Sequence, residues 1–286
     1  MTPKELLRSW LERQLDPAAL AWLDEATEKA AKEAGDKPLY LALGLAPRKL
    51  GKGDLTLGPE DLNDARSARA DWDPRGWSVD QAARILLLLA TGERQPERFP
   101  ELLDQLCRTG DLGELVAFYR GLPLYSAQDK LVARAQEGAR SNMRALFEAV
   151  AHRNPFPKEK FSEDAWNHLV LKALFVGSAL HPIQGLDARA NRHLARMMVD
   201  FAQERWAAGR DVSPELWRCV VPFADAELEK DLARALELGE RGGAAGAALA
   251  LSQRGDAAAE RLLERAPDLA GKARRGALSW DALATA

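Results

Sequence analysis

The sequence predicts an all-α protein, built either as a HEAT-like helical repeat or as an irregular helical array. Val, Ile and Thr supply only 18 of the 286 residues, whereas Ala occurs 51 times. β-branched side chains favour strands, and alanine loses no side-chain entropy in a helix. Apolar residues also recur every three or four positions between short turns, which is the helical period. A chain of this length can bury a large core.

Helix start and stop signals divide the chain into three regions. We predict an N-terminal helical region over 1–153, a central segment over 154–223 and HEAT-like helices over 224–286, all within one continuous domain. Within the first region, the prolines and glycines of 35–54 predict irregular structure, and 126–153 is expected to be one long helix. The last helices are short and rich in small residues, so they must stack to bury a core.

Composition and charge favour a cytoplasmic protein without a membrane span or a nucleic-acid partner. The net charge is −3, and phosphate binding normally requires a basic face. Only 140–210 is mildly basic, with a net charge of +4. The first 16 residues resemble an amphipathic helix rather than a signal peptide. Cys107 and Cys219 lack metal or redox spacing, which indicates two buried thiols in a reducing compartment.

The four histidines cluster in the central part of the chain. His152, His168, His181 and His193 fall within 42 residues, and histidine is the side chain most often used for metal binding and for proton transfer near neutral pH. Their spacings do not place any two on one helical turn, as a zinc-protease helix requires. We therefore expect no metal and no cofactor, and keep an enzyme with a histidine-rich central site as an alternative.

A predicted helix over 162–180 is apolar around most of its circumference, which is typical of a central buried helix. Against that background Asp164, His168 and Lys172 stand four residues apart and form one polar strip. This strip is interpreted either as an ion-pair ladder on the surface or as the polar lining of a cleft. In the second case Lys172 offers a cation to an anionic ligand.

A second predicted helix covers 187–208, with Asp187 as its N-cap. This places Arg189 in the first turn, with His193 near the same side. Arginine can hold a carboxylate or phosphate through two parallel hydrogen bonds, or pair with a carboxylate of its own chain. Because a short connection makes consecutive helices antiparallel, we expect Lys172 and Arg189 to face one cleft near His181.

Several motifs in the same order resemble the EboA family, and together they cover about a quarter of the chain. They are Asn-Pro-Phe-Pro at 154–157, Trp-Asn-His-Leu-Val-Leu-Lys-Ala-Leu-Phe-Val-Gly at 166–177, Gly-Leu-Asp-Ala-Arg-Ala-Asn at 185–191, Arg-Trp-Ala-Ala-Gly-Arg at 205–210 and Leu-Trp-Arg at 216–218. The resemblance implies a bacterial protein of metabolite traffic. Family members are encoded beside a prenyltransferase-like membrane protein, a TatD-type hydrolase-like protein and a sugar-isomerase-like barrel. It supplies no catalytic residue, but it marks positions for a shared site.

The preferred hypothesis is a non-catalytic binding or scaffold protein in the export of a secondary-metabolite precursor, with an anionic small metabolite as its ligand. The expected partners are the other products of the gene cluster, including the prenyltransferase-like membrane protein. The alternatives are an enzyme that acts on such a metabolite and, with less support, HEAT-like nucleic-acid binding. The predicted ligand-binding residues are Asn167, His168, Lys172, His181, Asp187, Arg189, Asn191 and His193.

Overall fold

The computed structural model describes residues 1–32 and 35–284, and over these residues it confirms the all-α class. Eighteen α-helices and four short 3-10 turns follow one another, and the only β pairing among them is an isolated bridge between Asp54 and Ser78. The helices vary from five to 16 residues in length, so a HEAT-like repeat stays a prediction. The chain forms two compact units, Met1–Ser162 and Glu163–Ala286, and the division into three regions also stays a prediction.

The first unit contains ten α-helices among its described residues. They are α1 (Pro3–Glu12), α2 (Pro17–Lys32), α3 (Lys37–Leu50), α4 (Pro59–Ala68), α5 (Val79–Arg94), α6 (Phe99–Thr109), α7 (Leu112–Arg120), α8 (Val132–Ala139), α9 (Arg144–Ala151) and α10 (Phe156–Lys160).

Helix α5 is the centre of the first unit. Every residue from Ala82 to Gly92 is buried, and the helix packs against α1, α2, α3 and α7. The sequence explains this position, because five consecutive residues from Ile85 to Leu89 are large and aliphatic. A helix that is apolar around its whole circumference lowers its free energy most when other helices surround it.

Helix α3 occupies most of the segment 35–54, so the prediction that this segment is irregular is wrong. Pro47 lies inside the helix and has no amide hydrogen, which leaves the carbonyl of Leu43 without its usual donor. The buried guanidinium of Arg84 supplies the missing bond, since its Nε donates to that carbonyl at 3.1 Å. This tertiary contact allows a proline inside the helix, although the local sequence pattern predicts that a helix would end there.

The predicted long helix over 126–153 is also wrong, because the chain there forms a 3-10 turn followed by α8 and α9. The amide of Met143 donates to the hydroxyl of Ser141 at 3.1 Å. Serine side chains compete with the helical backbone in this way, and the competition interrupts the helix.

The second unit contains eight α-helices among its described residues. They are α11 (Glu163–Phe175), α12 (Arg192–Ala207), α13 (Leu216–Val220), α14 (Leu228–Glu237), α15 (Ala244–Arg254), α16 (Ala257–Leu263), α17 (Pro267–Arg274) and α18 (Trp280–Ala284).

The alanine-rich helix α15 packs against α13, α14, α16 and α17 at the centre of the second unit. Small residues let these backbones approach closely. A Cβ atom at Gly246 would lie 1.8 Å from the carbonyl oxygen of Pro214, so only glycine fits there. Trp217 is fully buried nearby, and its indole Nε1 donates to the carbonyl of Gly242 at 2.8 Å.

Both cysteines are buried and unpaired, which confirms that part of the prediction. Burial raises the pKa of Cys107 and of Cys219 to about 12, so both remain thiols at neutral pH and are poor nucleophiles. Within the described residues, no helix combines the length and the hydropathy that a membrane crossing requires.

Candidate functional site

The connection between α11 and α12 carries many of the residues that the sequence analysis selected. Helix α11 ends at Phe175, earlier than the predicted end at 180. Gly177 adopts a φ of +65°, and the amide of Ser178 donates to the carbonyl of Ala173 at 2.8 Å. This is a Schellman ending, for which a glycine in the left-handed conformation is the usual residue.

Helix α12 begins at Arg192, so the prediction that Asp187 is its N-cap is wrong. Asn191 is the cap, because its side-chain oxygen accepts a bond from the amide of Leu194 at 2.8 Å. Arg189 therefore lies before the helix and not in its first turn. The connection spans residues 176–191, so the short connection on which the predicted cleft depends is not present.

Asn167 and Asn191 form a reciprocal amide pair that joins α11 to the start of α12. Their side chains exchange two hydrogen bonds, of 3.3 Å and 2.8 Å, and Asn167 is fully buried. Buried amides are stabilising only when they are hydrogen-bonded. This pair therefore has a clear structural role, and the same pair holds the cap of α12 in place.

Arg189 packs over the buried ring of Trp166, with its guanidinium carbon 4.7 Å from the ring centroid. Burial lowers the pKa of Arg189, and the nearby carboxylate of Glu163 acts in the opposite direction. A guanidinium over an indole face gains a cation–π attraction. The contact accounts for the position of Arg189 without any ligand.

The remaining candidates lie apart from these pairs. His168 and His193 are exposed, and Lys172 is half-buried. The Nδ1 atom of His168 lies 2.7 Å from the carbonyl of Asp164 in its own helix. His152 belongs to the first unit, whereas the other three histidines belong to the second.

A buried carboxylate fixes the loop that carries His181. Glu215 is 2% exposed and accepts hydrogen bonds from the amides of Leu180 at 2.9 Å and His181 at 2.5 Å. Burial raises the pKa of Glu215, although these two bonds act to lower it. Glu215 thus satisfies two backbone donors and fixes the position of the loop backbone at His181.

Arg218, on α13, joins two of the candidates at one surface. It binds Asp187 through two parallel hydrogen bonds of 2.6 Å, from Nε and from Nη2. Its Nη1 atom lies 3.5 Å from Nδ1 of His181. Burial acts to lower the pKa of Arg218, but the hydrogen bonds that Arg218 donates to Asp187 and the nearby negative charge outweigh it, so the pKa is raised. Bidentate geometry of this kind fixes a guanidinium firmly in place.

The opposite wall comes from α15 and α18. Trp280 covers Arg218, with the guanidinium carbon 5.4 Å from the indole centroid, and its Nε1 atom donates to Gln253 at 3.3 Å. Asp281 lies beside His181, with a distance of 2.5 Å between its carboxylate and Nε2.

These walls enclose what we call the Arg218 groove, which has a volume of about 570 Å³. Ligand sites in proteins usually measure about 300–1,000 Å³ and combine apolar walls with a few polar groups. The apolar wall consists of Ala190, Val221, Pro222 and Ala250. The charged groups are Asp187, Arg218 and Arg254, so two guanidiniums and one carboxylate line the groove.

The sequence analysis selected His181 and Asp187 but missed Arg218, whose guanidinium contacts both residues. Arg218 lay within a motif of the family resemblance, which is the one signal that pointed to it. Glu215 and Trp280 carried no signal, because their importance depends on residues at least 34 positions away.

The Arg218 groove offers groups that can bind a ligand. Among the described residues, no group of three or more His, Cys, Asp and Glu has the geometry to hold a metal ion. The groove presents hydrogen-bond donors and an aromatic ring, and no serine or cysteine is among its lining residues.

The fold and this groove together define an all-α protein of two compact helical units with a ligand-sized groove in the second. A family model described as metabolite traffic protein EboA matches residues 3–221. The chain therefore belongs to the EboA family, as the sequence motifs indicated. No curated protein and no solved structure matches the chain.

Proposed function

We propose that the protein is a non-catalytic binding protein of metabolite traffic, and that the Arg218 groove holds its ligand. The observation that carries the proposal is the groove itself: a ligand-sized volume that lies partly within the family-matched region and is lined by two guanidiniums and an apolar wall. Asp187 lines this groove, and His181 lies beside the lining residue Arg218. The other predicted binding residues lie elsewhere or act in the scaffold, as Asn167 and Asn191 do.

The charge of the lining favours an anionic metabolite with an apolar part. Arg218 has five N–H donors, and Asp187 engages two of them. Arg254 also lines the groove, and its Nε bonds to Asp256 at 2.7 Å. The lining residues therefore carry one more positive than negative charge. The apolar lining residues are Ala190, Val221, Pro222 and Ala250.

Two grooves of the first unit are smaller than the Arg218 groove. One, of about 430 Å³, lies beside Trp22 and Leu41. The other, of about 380 Å³, lies beside Phe99 and Tyr125, and its rim is closed by an ion pair between Lys4 and a glutamate of α5. We assign the ligand to the Arg218 groove because directional polar groups there supply specificity.

Within the cell, the proposed role is to carry a secondary-metabolite precursor in the cytoplasm and to deliver it to another product of the gene cluster. The prenyltransferase-like membrane protein is the proposed recipient. A helical array suits this role, because its surface offers an extended area for a protein partner while a groove holds the cargo.

The test of ligand binding compares two arginine substitutions. Purified full-length protein is incubated with a metabolite extract, separated by ultrafiltration and analysed by mass spectrometry. We expect wild type to retain compounds that Arg218→Gln loses by about tenfold or more, since hydrogen bonds to charged groups contribute roughly 1.5–3 kcal/mol. Arg192→Gln is the matched control, because Arg192 forms an exposed ion pair with Asp225 outside the groove.

Equal retention by wild type and Arg218→Gln would overturn the assignment of the groove. Retention of no compound by wild type would overturn the binding function. The partner is tested separately, by capture of the prenyltransferase-like protein from detergent-solubilised membranes on immobilised wild-type protein.

A further inference from the structure

Helix α18 lies outside the family-matched region but against residues inside it. The family model ends at residue 221, whereas α18 covers Trp280–Ala284 and has no buried residue. Its side-chain contacts include those of Trp280 with Arg218 and of Asp281 with His181. A short, exposed helix of this kind is held by these contacts and not by a core of its own.

The contact of Trp280 has the geometry of an aromatic subsite. A planar guanidinium attracts an aromatic ring through cation–π and stacking interactions. Asp187 fixes the plane of the Arg218 guanidinium by two bonds. The face that carries the indole of Trp280 would therefore hold any other planar ring in the same way.

The contact of Asp281 has the geometry of a carboxylate subsite. Nη1 of Arg218 lies 3.5 Å from Nδ1 of His181. On the other side of the ring, Nε2 lies 2.5 Å from the carboxylate of Asp281. Glu215 binds the backbone amide of His181 and so positions this residue in the loop.

From these two contacts we infer that the ligand is an aromatic carboxylate that reaches beyond the open groove, and that Trp280, a lining residue, and Asp281 hold its ring and carboxylate subsites in this structure. The inference rests on the proposed binding function and specifies the ligand class. Because Trp280 and Asp281 are consecutive, the ring and the carboxylate of the ligand are joined by a short linker. Helix α18 thus occupies the ligand's subsites within its own chain, and the ligand displaces it.

The contacts of α18 are weak enough for displacement. The side chain of Asp281 is 77% exposed, and water screens an ion pair of that kind. Intramolecular occupation nevertheless raises the effective concentration of the competing groups, so removing them should tighten ligand binding.

The experiment measures the affinity for indole-3-acetate by calorimetry, with full-length variants. Trp280→Ala/Asp281→Ala should bind this probe about tenfold more tightly than wild type, because each removed contact contributes on the order of a few-fold. Asp281→Asn should give a smaller gain, and Arg218→Gln should abolish binding. Lys272→Ala, an exposed substitution on α17, is the control and should not alter the affinity.

Cyclohexylacetate is the second probe, since it keeps the carboxylate and lacks the aromatic face. It should bind the double variant more weakly than indole-3-acetate does. In wild type, saturating indole-3-acetate should also increase amide hydrogen exchange in α18 but not in α17.

Unchanged binding of indole-3-acetate by Trp280→Ala/Asp281→Ala would overturn the inference, because the two side chains would then not compete with the ligand. Weaker binding would also overturn it, because Trp280 would then form part of the binding site. If indole-3-acetate displaced the retained metabolite from none of the variants, the proposed ligand class would be wrong. The proposed binding function would remain. Metabolite retention by Arg218→Gln would instead overturn the proposed function.

Discussion

Each compact unit holds an arginine paired with an aspartate, and the two pairs have opposite surroundings. In the first unit Arg84 and Asp80 are 2% and 4% exposed and joined at 2.8 Å within α5. In the second unit the side chain of Asp187 is 64% exposed beside Arg218, at the edge of a groove. The first pair is enclosed by helices, whereas the second borders open volume.

The difference shows how to separate a structural charge from one available to a ligand. Arg84 also donates to the carbonyl that Pro47 leaves unbonded, and Asp80 accepts from the hydroxyl of Ser78 at 2.6 Å. Every partner of that pair belongs to the scaffold. Arg218 contacts one group that a ligand can replace, Trp280, and its partner Asp187 is exposed rather than enclosed by helices.

The largest effect is expected when the buried pair is broken. Arg84→Gln should lower the free energy of unfolding by about 3–5 kcal/mol, because it leaves Asp80 buried without its charge partner. Urea unfolding followed by circular dichroism measures the change. Arg144→Gln breaks an exposed pair on α9 and should change little. A loss below about 1 kcal/mol for Arg84→Gln would contradict the structural role of the pair.

The amide pair of the second unit should give the next largest effect. Asn167→Ala should destabilise the protein by about 1–3 kcal/mol, since a buried hydrogen-bonding partner disappears. Thermal unfolding measures this effect, and His193→Ala, an exposed candidate from the sequence, serves as the control. If Asn167→Ala kept full stability but lost metabolite retention, Asn167 would be a ligand-binding residue after all.

The same substitution in the groove should have a small effect on stability. Arg218→Gln should cost about 0–1 kcal/mol of unfolding free energy, because its aspartate partner remains in water. Urea unfolding measures the loss of unfolding free energy in both variants, so Arg218→Gln and Arg84→Gln can be compared directly. A cost as large as that of Arg84→Gln would remove the distinction between the two pairs.

The smallest effect is a pH dependence from Glu215. Burial raises the pKa of this carboxyl in the folded protein, above the value of about 4.3 for an unfolded chain. As pH falls, the folded protein therefore takes up the proton before the unfolded chain does. The contribution of Glu215 to the free energy of unfolding is thus largest at low pH, and it is lost as pH rises through the pKa of the folded state. The stability of wild type relative to Glu215→Gln should rise between pH 7 and about 4.3. Urea midpoints across this range measure it, and the opposite slope would show that the two amide bonds outweigh burial.

Periodicity and composition predicted the existence of most helices but not their ends. The connection after α11 shows why. Gly177 and Asn191 were both visible in the sequence, yet Asp187 was an equally good cap by residue type. The choice of Asn191 depends on its bonds to Asn167, which lies 24 residues earlier. Local rules cannot weigh a partner at that distance.

The sequence by itself determined the all-α class, through its few β-branched residues, and the EboA family, through motifs in a fixed order. It also placed His181 and Asp187 among the candidates. Tertiary structure decided that Pro47 lies within a helix and that Asn167 pairs with Asn191. It also brought Arg218 and Trp280 together into one groove. Helix formation depends on neighbours within about four residues, whereas the groove depends on contacts between residues dozens of positions apart, which only the packed chain specifies.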